Sequence, residues 1–182
     1  MDHSEICYRR FLDGDESAFT ELIAEHRNPV TFFIMRYVHD ICAAEDIAAD
    51  VFMELVVHPH KYRSGTPFRT YLLVLARSRA IDWLRREKRR QTVPIEDVAD
   101  ELADEQSLED AVLHSERSRL LHEAIGKLPQ EQQEVLHLVY FEELRYADAA
   151  AVLHISAKRV DHLLSRAKQS LRSIIGEDGV LN

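Results

Sequence analysis

A chain of 182 residues with 46% hydrophobic content and only five Gly and five Pro reads as a helix-rich globular protein, large enough for one domain or two small ones. Its longest apolar runs are about five residues, as in Leu72 to Ala76, and its charged start lacks a hydrophobic signal segment, which excludes a membrane span and leads us to expect a cytoplasmic protein. The formal net charge is -9, so any local excess of base runs against the trend of the chain and asks for a partner.

The first helix is expected from Asp15 to Glu25, with Phe19, Leu22 and Ile23 at helical spacing. Asn28-Pro29 marks its end or a kink, and a second helix follows from Val30 to about Val38. From Ala43 to Val57 the apolar set Ile47, Val51, Phe52 and Leu55 lies beside an acidic row, Asp46, Asp50 and Glu54. Such a row repels itself unless something basic meets it. The stretch HPHKYRSGTP, residues 58 to 67, is a loop by its Pro, Gly and Ser content.

The loop leads into FRTYLLVLARSRAIDWLRREKRR, Phe68 to Arg90, an apolar helix that runs into a basic end. Between Arg77 and Arg90 there are seven Arg or Lys against Asp82 and Glu87. At 100° per residue Leu72, Leu73, Ala76, Ala80, Trp83 and Leu84 share one face, while Ser78, Asp82, Arg85 and Arg89 line the other. The basic end suits a helix terminus by its dipole, and equally suits a phosphate backbone.

Glu96 to Asp110 then contains eight acids and no base, which reads as a linker. Three helical segments complete the chain: Glu116 to Lys127, Pro129 to Phe141 with Pro129 as first helical residue, and Tyr146 to Ile175 with an interruption. Tyr146 to Leu153, a turn at His154-Ile155-Ser156, and a longer helix from Ala157 have helix-turn-helix spacing. Ser156 is a good N-cap, and Val160, Leu164, Ala167, Leu171 and Ile174 form the buried stripe. Lys158, Arg159, Arg166, Lys168 and Arg172 then point to solvent, where the helix can lie on DNA.

Enzyme chemistry finds no footing. The chain has no Gly-rich phosphate loop and no nucleophile beside a base. No cofactor is expected. No metal is expected either, because Cys7 and Cys42 are isolated and His58-x-His60 lacks a second ligand pair. Both thiols are expected to be unbridged.

In chain order, AEDIAADVFMEL, FRTYLLVLARSRAIDWLRREKRR and LPQEQQEVLHLVYFEELRYADAAAVLHIS resemble the ordered motifs of bacterial sigma factors of the extracytoplasmic-function type. The resemblance covers about residues 10 to 175. It implies an all-α fold of two small helical domains: a region 2-like bundle over residues 1–90 and a region 4-like helix-turn-helix over 116–175. An acidic linker, 91–115, joins them, and 176–182 form a tail. The implied function is that of an alternative sigma factor, which binds core RNA polymerase, directs promoter-specific initiation and answers to an anti-sigma factor. The alternative is a sigma-like protein that sequesters an anti-sigma factor with little promoter activity of its own.

The resemblance also implies site residues. Contact with the clamp helices of the largest polymerase subunit falls to Glu45, Asp46, Ala49, Asp50, Phe52, Met53 and Glu54. Reading and melting of the minus-ten element fall to Lys61, Tyr62, Arg63, Arg77, Ser78, Arg79, Asp82, Arg85, Arg86 and Arg89. The minus-thirty-five element falls to Ser156, Ala157, Lys158, Arg159, Asp161, His162, Ser165 and Arg166, in a domain that also meets the flap of the second subunit. No membrane contact is implied. The chain departs from the family at Ala49 and Val56 in the clamp-facing helix, at His154 where the turn usually has Gly, and at Asp161 and Leu163 where Lys and Arg are common. The last two predict a weakened positive face on the recognition helix.

Overall fold

The computed structural model describes residues 2–63, 65–91 and 116–177. The linker expected from Glu96 to Asp110 lies outside them. Among the described residues all regular structure is helical, and the chain divides into two compact units. The first contains α1 (His3–Leu12), α2 (Glu16–Val38), α3 (Ile41–Val57) and α4 (Phe68–Gln91). The second contains α5 (Glu116–Gly126), α6 (Gln130–Leu136), most of α7 (Tyr146–Leu153) and α8 (Ala157–Glu177).

In the first unit α2 touches each of the other three helices. Its inward residues Leu22, Val30, Phe33 and Ile34 are at most 2% exposed and meet Val51 and Leu55 of the α3 sequence and Leu72 and Leu73 of the α4 sequence in one core. Asp2, Asp15 and Asp40 cap the starts of α1, α2 and α3, accepting from Ser4 N–H at 2.8 Å, Ser17 N–H at 3.1 Å and Ala43 N–H at 3.0 Å. Each cap satisfies a backbone donor that the first helical turn leaves over.

Two expectations are corrected here. Asn28-Pro29, expected to mark an end or a kink before a second helix from Val30, lies inside one helix, Glu16–Val38. Proline removes a single backbone bond, the one its N–H would give to the Glu25 carbonyl. Burial of Val30, Phe33, Ile34, Tyr37 and Val38 beyond it holds the continuation. The second correction is α1, a helix not expected from the sequence. It carries Tyr8, 1% exposed, whose hydroxyl donates to the Pro59 carbonyl at 2.8 Å and the Leu55 carbonyl at 3.2 Å. Burial pushes the Tyr8 phenol up to about 12, so it remains a donor and ties the end of α3 to α1.

In the second unit α8 packs on α5 and α6. Val160, Leu164 and Ala167 are at most 1% exposed, as the stripe requires, while Leu171 and Ile174 are half-buried. Pro129 sits at the N-cap of α6 rather than inside it. The Gln133 amide donates to the Gly126 carbonyl at 3.1 Å and the Leu128 carbonyl at 2.8 Å, closing the end of α5. α6 widens at its C-terminus into a π-helical turn, His137–Phe141, stitched by Glu142 N–H to the His137 carbonyl at 3.0 Å. The buried His137 and Glu142 side chains meet at 3.1 Å across it. His154 takes the left-handed conformation of the missing glycine, φ 55°. Imidazole tolerates that region better than a branched side chain does.

Candidate nucleic-acid interface

The first surface is the edge of α4 with the loop before it. Phe68, Leu72, Leu73, Ala76 and Ala80 are at most 1% exposed, so the rotation of α4 is set and Ser78, Arg85, Arg86 and Arg89 are left exposed. Trp83 and Leu84 continue the inner stripe only half-buried. Along the outer side Asp82 accepts from Arg85 at 3.3 Å, Glu87 meets Arg90 at 3.7 Å, and Arg89 Nε donates to the Arg85 carbonyl at 3.2 Å. These exposed contacts are weak enough to exchange for phosphate. Arg77 and Asp82 are half-buried; Lys61 and Arg63 are exposed in the loop.

Glu54 joins this surface to α3. Its carboxylate accepts from Lys61 Nζ at 2.6 Å and from Arg79 Nη2 at 2.8 Å, with its own side chain 11% exposed. The Lys61 hydrogen bond leads in holding Glu54 below the usual carboxylate range. The sequence reading assigned Glu54 to polymerase and Lys61 and Arg79 to DNA. The structure brings all three together, so one acid of the row, Glu54, finds two basic partners inside its own unit.

Tyr62 belongs to the same loop. It is half-buried and packs edge-on against Tyr8 and Phe68, at 5.5 and 5.2 Å between ring centroids, and lies 5.2 Å from Tyr71. Its hydroxyl donates to the Thr66 carbonyl at 2.9 Å. The ring is occupied in shaping the loop, which leaves Lys61 and Arg63 as the loop's exposed cations.

The second surface lies on α3. Glu45, Asp46, Ala49, Asp50 and Met53 are exposed, whereas Phe52 is only 6% exposed and turns into the core. Its side chain supports the helix from the core side. Val56 and Val57, 41% and 59% exposed, extend the Met53 patch. Val56 is one of the positions at which the chain departs from the family; Val57 carries the same signal, an apolar residue that falls off the buried period of α3.

The third surface is α8. Ser156, Ala157, Lys158, Arg159, Asp161, His162, Ser165 and Arg166 are all exposed, and the Ser156 hydroxyl accepts from Arg159 N–H at 3.2 Å to start the helix. Arg159 also pairs with Glu131 at 2.9 Å. Leu163 overturns an expectation: at 8% exposure it belongs to the core beside Val160 and Leu164, so it is no missing cation on the DNA side. Asp161 alone carries that departure.

Fold and surfaces together define an all-helical protein, among the described residues, of two units that expose cations on α4 and α8. The sigma-70 region 2 model matches residues 22–90, and the sigma-70 region 4 model matches residues 118–171. The chain is 30% identical over 168 residues to RNA polymerase sigma-H factor of Pseudomonas aeruginosa, covering 87% of this chain and 86% of that protein. It is 27% identical over 154 residues to the ECF sigma factor SigM of Bacillus subtilis, covering 85% and 93%. Among solved structures it is similar in fold to CnrH in complex with the cytosolic domain of CnrY, at TM-score 0.68 and 22% identity, over 98% of this chain and 100% of that one. The sigma factor RpoE of Bartonella quintana, in complex with the anti-sigma factor NepR, aligns at TM-score 0.63 and 21% identity over 87% and 96%. The chain belongs to the sigma-70 family of RNA polymerase sigma factors, in its extracytoplasmic-function group.

Proposed function

We propose that this protein is an alternative sigma factor that binds core RNA polymerase, directs it to a two-part promoter and opens the DNA there. The observation that carries the reading is the pairing, on one chain, of a basic α4 edge matched to region 2 with an exposed recognition helix matched to region 4. It is a specificity subunit rather than an enzyme. It works in the cytoplasm, consistent with the absence, among the described residues, of any helix long and apolar enough to cross a membrane. Residues 1–90 act as the promoter-opening domain and 116–175 as the minus-thirty-five reader, joined through 91–115 and followed by the tail.

Each surface supplies part of the work. Asp46, Asp50 and Met53 with Val56 and Val57 offer an acidic rim around an apolar patch for the polymerase clamp. Arg85, Arg86 and Arg89, with Lys61 and Arg63, hold phosphates of the melting strand. Backbone neutralisation offsets part of the few kcal/mol needed to unstack a base. Lys158, Arg159 and Arg166 position α8 on the upstream duplex, while Asp161 can accept from a cytosine amine in the major groove. An anti-sigma factor regulates the protein, a reading supported by the solved relative bound to NepR.

The test is reconstitution with core polymerase on a genomic promoter library. The expected result is a discrete set of transcripts, with permanganate-reactive thymines near their start sites. Capture of an anti-sigma protein with no transcript from any promoter would overturn the reading in favour of a sequestering mimic.

A further inference from the structure

The α1–α2 junction holds a cluster that promoter recognition does not use. His3 and Cys7 lie four residues apart on α1, so both side chains project from one face toward α2. The Cys7 sulfur is 3.6 Å from His3 Nε2 and 3.4 Å from Glu21 Oε2, and the ligand atoms of all three residues lie within 4.8 Å of one another. We infer that His3, Cys7 and Glu21 form a binding site for a divalent ion of the zinc type, which clamps α1 onto α2.

The donor set is a soft thiolate, an imidazole and a carboxylate, the combination zinc accepts and the hard cations calcium and magnesium do not. The spacing fits as well. Zinc bonds of about 2.3 Å to sulfur and about 2.0 to 2.2 Å to nitrogen and oxygen, at tetrahedral angles, separate sulfur from either partner by about 3.5 Å. The observed separations bracket that value. The thiol is buried at 1% exposure while His3 and Glu21 are exposed, so an ion reaches sulfur from solvent and a water completes the fourth position. An outer layer is already in place: Arg10 grips the Glu21 carboxylate at 3.2 to 3.4 Å and is itself held by Asp15 at 2.6 Å. Such outer contacts hold a ligating carboxylate in orientation. Loading replaces the thiol proton with the ion and leaves two anionic ligands against a 2+ charge.

The experiment is titration of the chelator-treated, reduced full-length protein with cobalt(II) and then zinc. Cobalt is expected to bind one equivalent, with a thiolate-to-metal charge-transfer band and the intense visible bands of four-coordinate cobalt, both lost when zinc displaces it. Cys7→Ser is expected to abolish the charge-transfer band, and His3→Ala and Glu21→Gln to weaken binding at least tenfold. Cys42→Ser is expected to change nothing. Zinc is expected to raise the melting temperature of the wild type and not of Cys7→Ser, with far-ultraviolet dichroism confirming that the variant is folded. A charge-transfer band that follows Cys42, weak octahedral-type bands, or no cobalt binding at all would overturn the site.

Discussion

The Glu54 carboxylate of α3 accepts a hydrogen bond from Arg79 Nη2 of α4 at 2.8 Å and, from the loop between them, one from Lys61 Nζ at 2.6 Å. One carboxylate of α3 therefore holds a cation of α4 and a cation of the loop between the two helices. Glu54→Gln keeps the shape and removes the charge. We expect it to reduce open-complex yield several-fold while core polymerase binding changes little, read by permanganate footprinting beside a core-binding titration. Glu54→Gln and Arg79→Gln should be less than additive, since either change breaks the same pair. Equal losses in core binding and opening would place Glu54 on the polymerase surface instead.

Arg85 and Arg89 extend from the outer side of α4, where no core packing limits them. Replacing both with Ala is expected to weaken binding to a pre-melted promoter and to lower the slope of log affinity against log salt by about 1.4, about 0.7 for each lost contact to a single-stranded phosphate. An unchanged slope would remove this edge from the DNA contact.

Leu163 separates two accounts of the recognition helix. Because it is buried at 8% exposure, Leu163→Ala should cost about 2 to 5 kcal/mol of stability in the second unit. Leu163→Arg should unfold that unit rather than tighten DNA binding. Asp161→Asn, at an exposed position, should leave the melting temperature unchanged and shift preference at one base pair, read by selection from randomised minus-thirty-five sites.

His26 predicts a pH dependence. It is 6% exposed, its Nε2 lies 2.8 Å from the Ser4 hydroxyl, and its ring faces Phe68 at 5.8 Å. Burial holds its pKa below the usual imidazole range, with Glu25 opposing and Arg69 reinforcing that shift. Below its ordinary pKa of about 6.5 the unfolded chain takes up a proton that the fold resists. The stability it contributes is thus complete above that pH and lost as pH falls through it. With chelator present, the first unit should melt at lower temperature near about pH 5.5 than near about pH 7.5, and His26→Gln should shrink the difference. An equal drop in the variant would assign the effect elsewhere.

Much of this was legible in local pattern. The basic helix, its buried stripe and the helix-turn-helix follow from periodicity and capping, because a helix samples its faces every 3.6 residues whatever surrounds it. The all-helical class and the order of acidic helix, loop, basic helix and helix-turn-helix were likewise determined by sequence alone. Local pattern failed where the deciding contact is distant in the chain. Pro29 signalled a break, but the core beyond it holds α2 together. The stretch His3–Leu12 is short, and its apolar spacing of Cys7, Tyr8 and Phe11 went unread; Asp2 capping and Tyr8, which reaches carbonyls about fifty residues away, hold it in place. With α1 unread, His3 and Cys7 could not be placed on a common face.

The roles of charged residues needed the tertiary structure most. Sequence spacing placed Glu54 in a row with Asp46 and Asp50, yet Lys61 and Arg79 turn it inward, while Leu163 and Phe52 are claimed by the cores of their units. Spacing along a helix determines which residues share a face. Only packing decides whether that face meets solvent, a neighbouring helix or a charge brought from elsewhere in the chain.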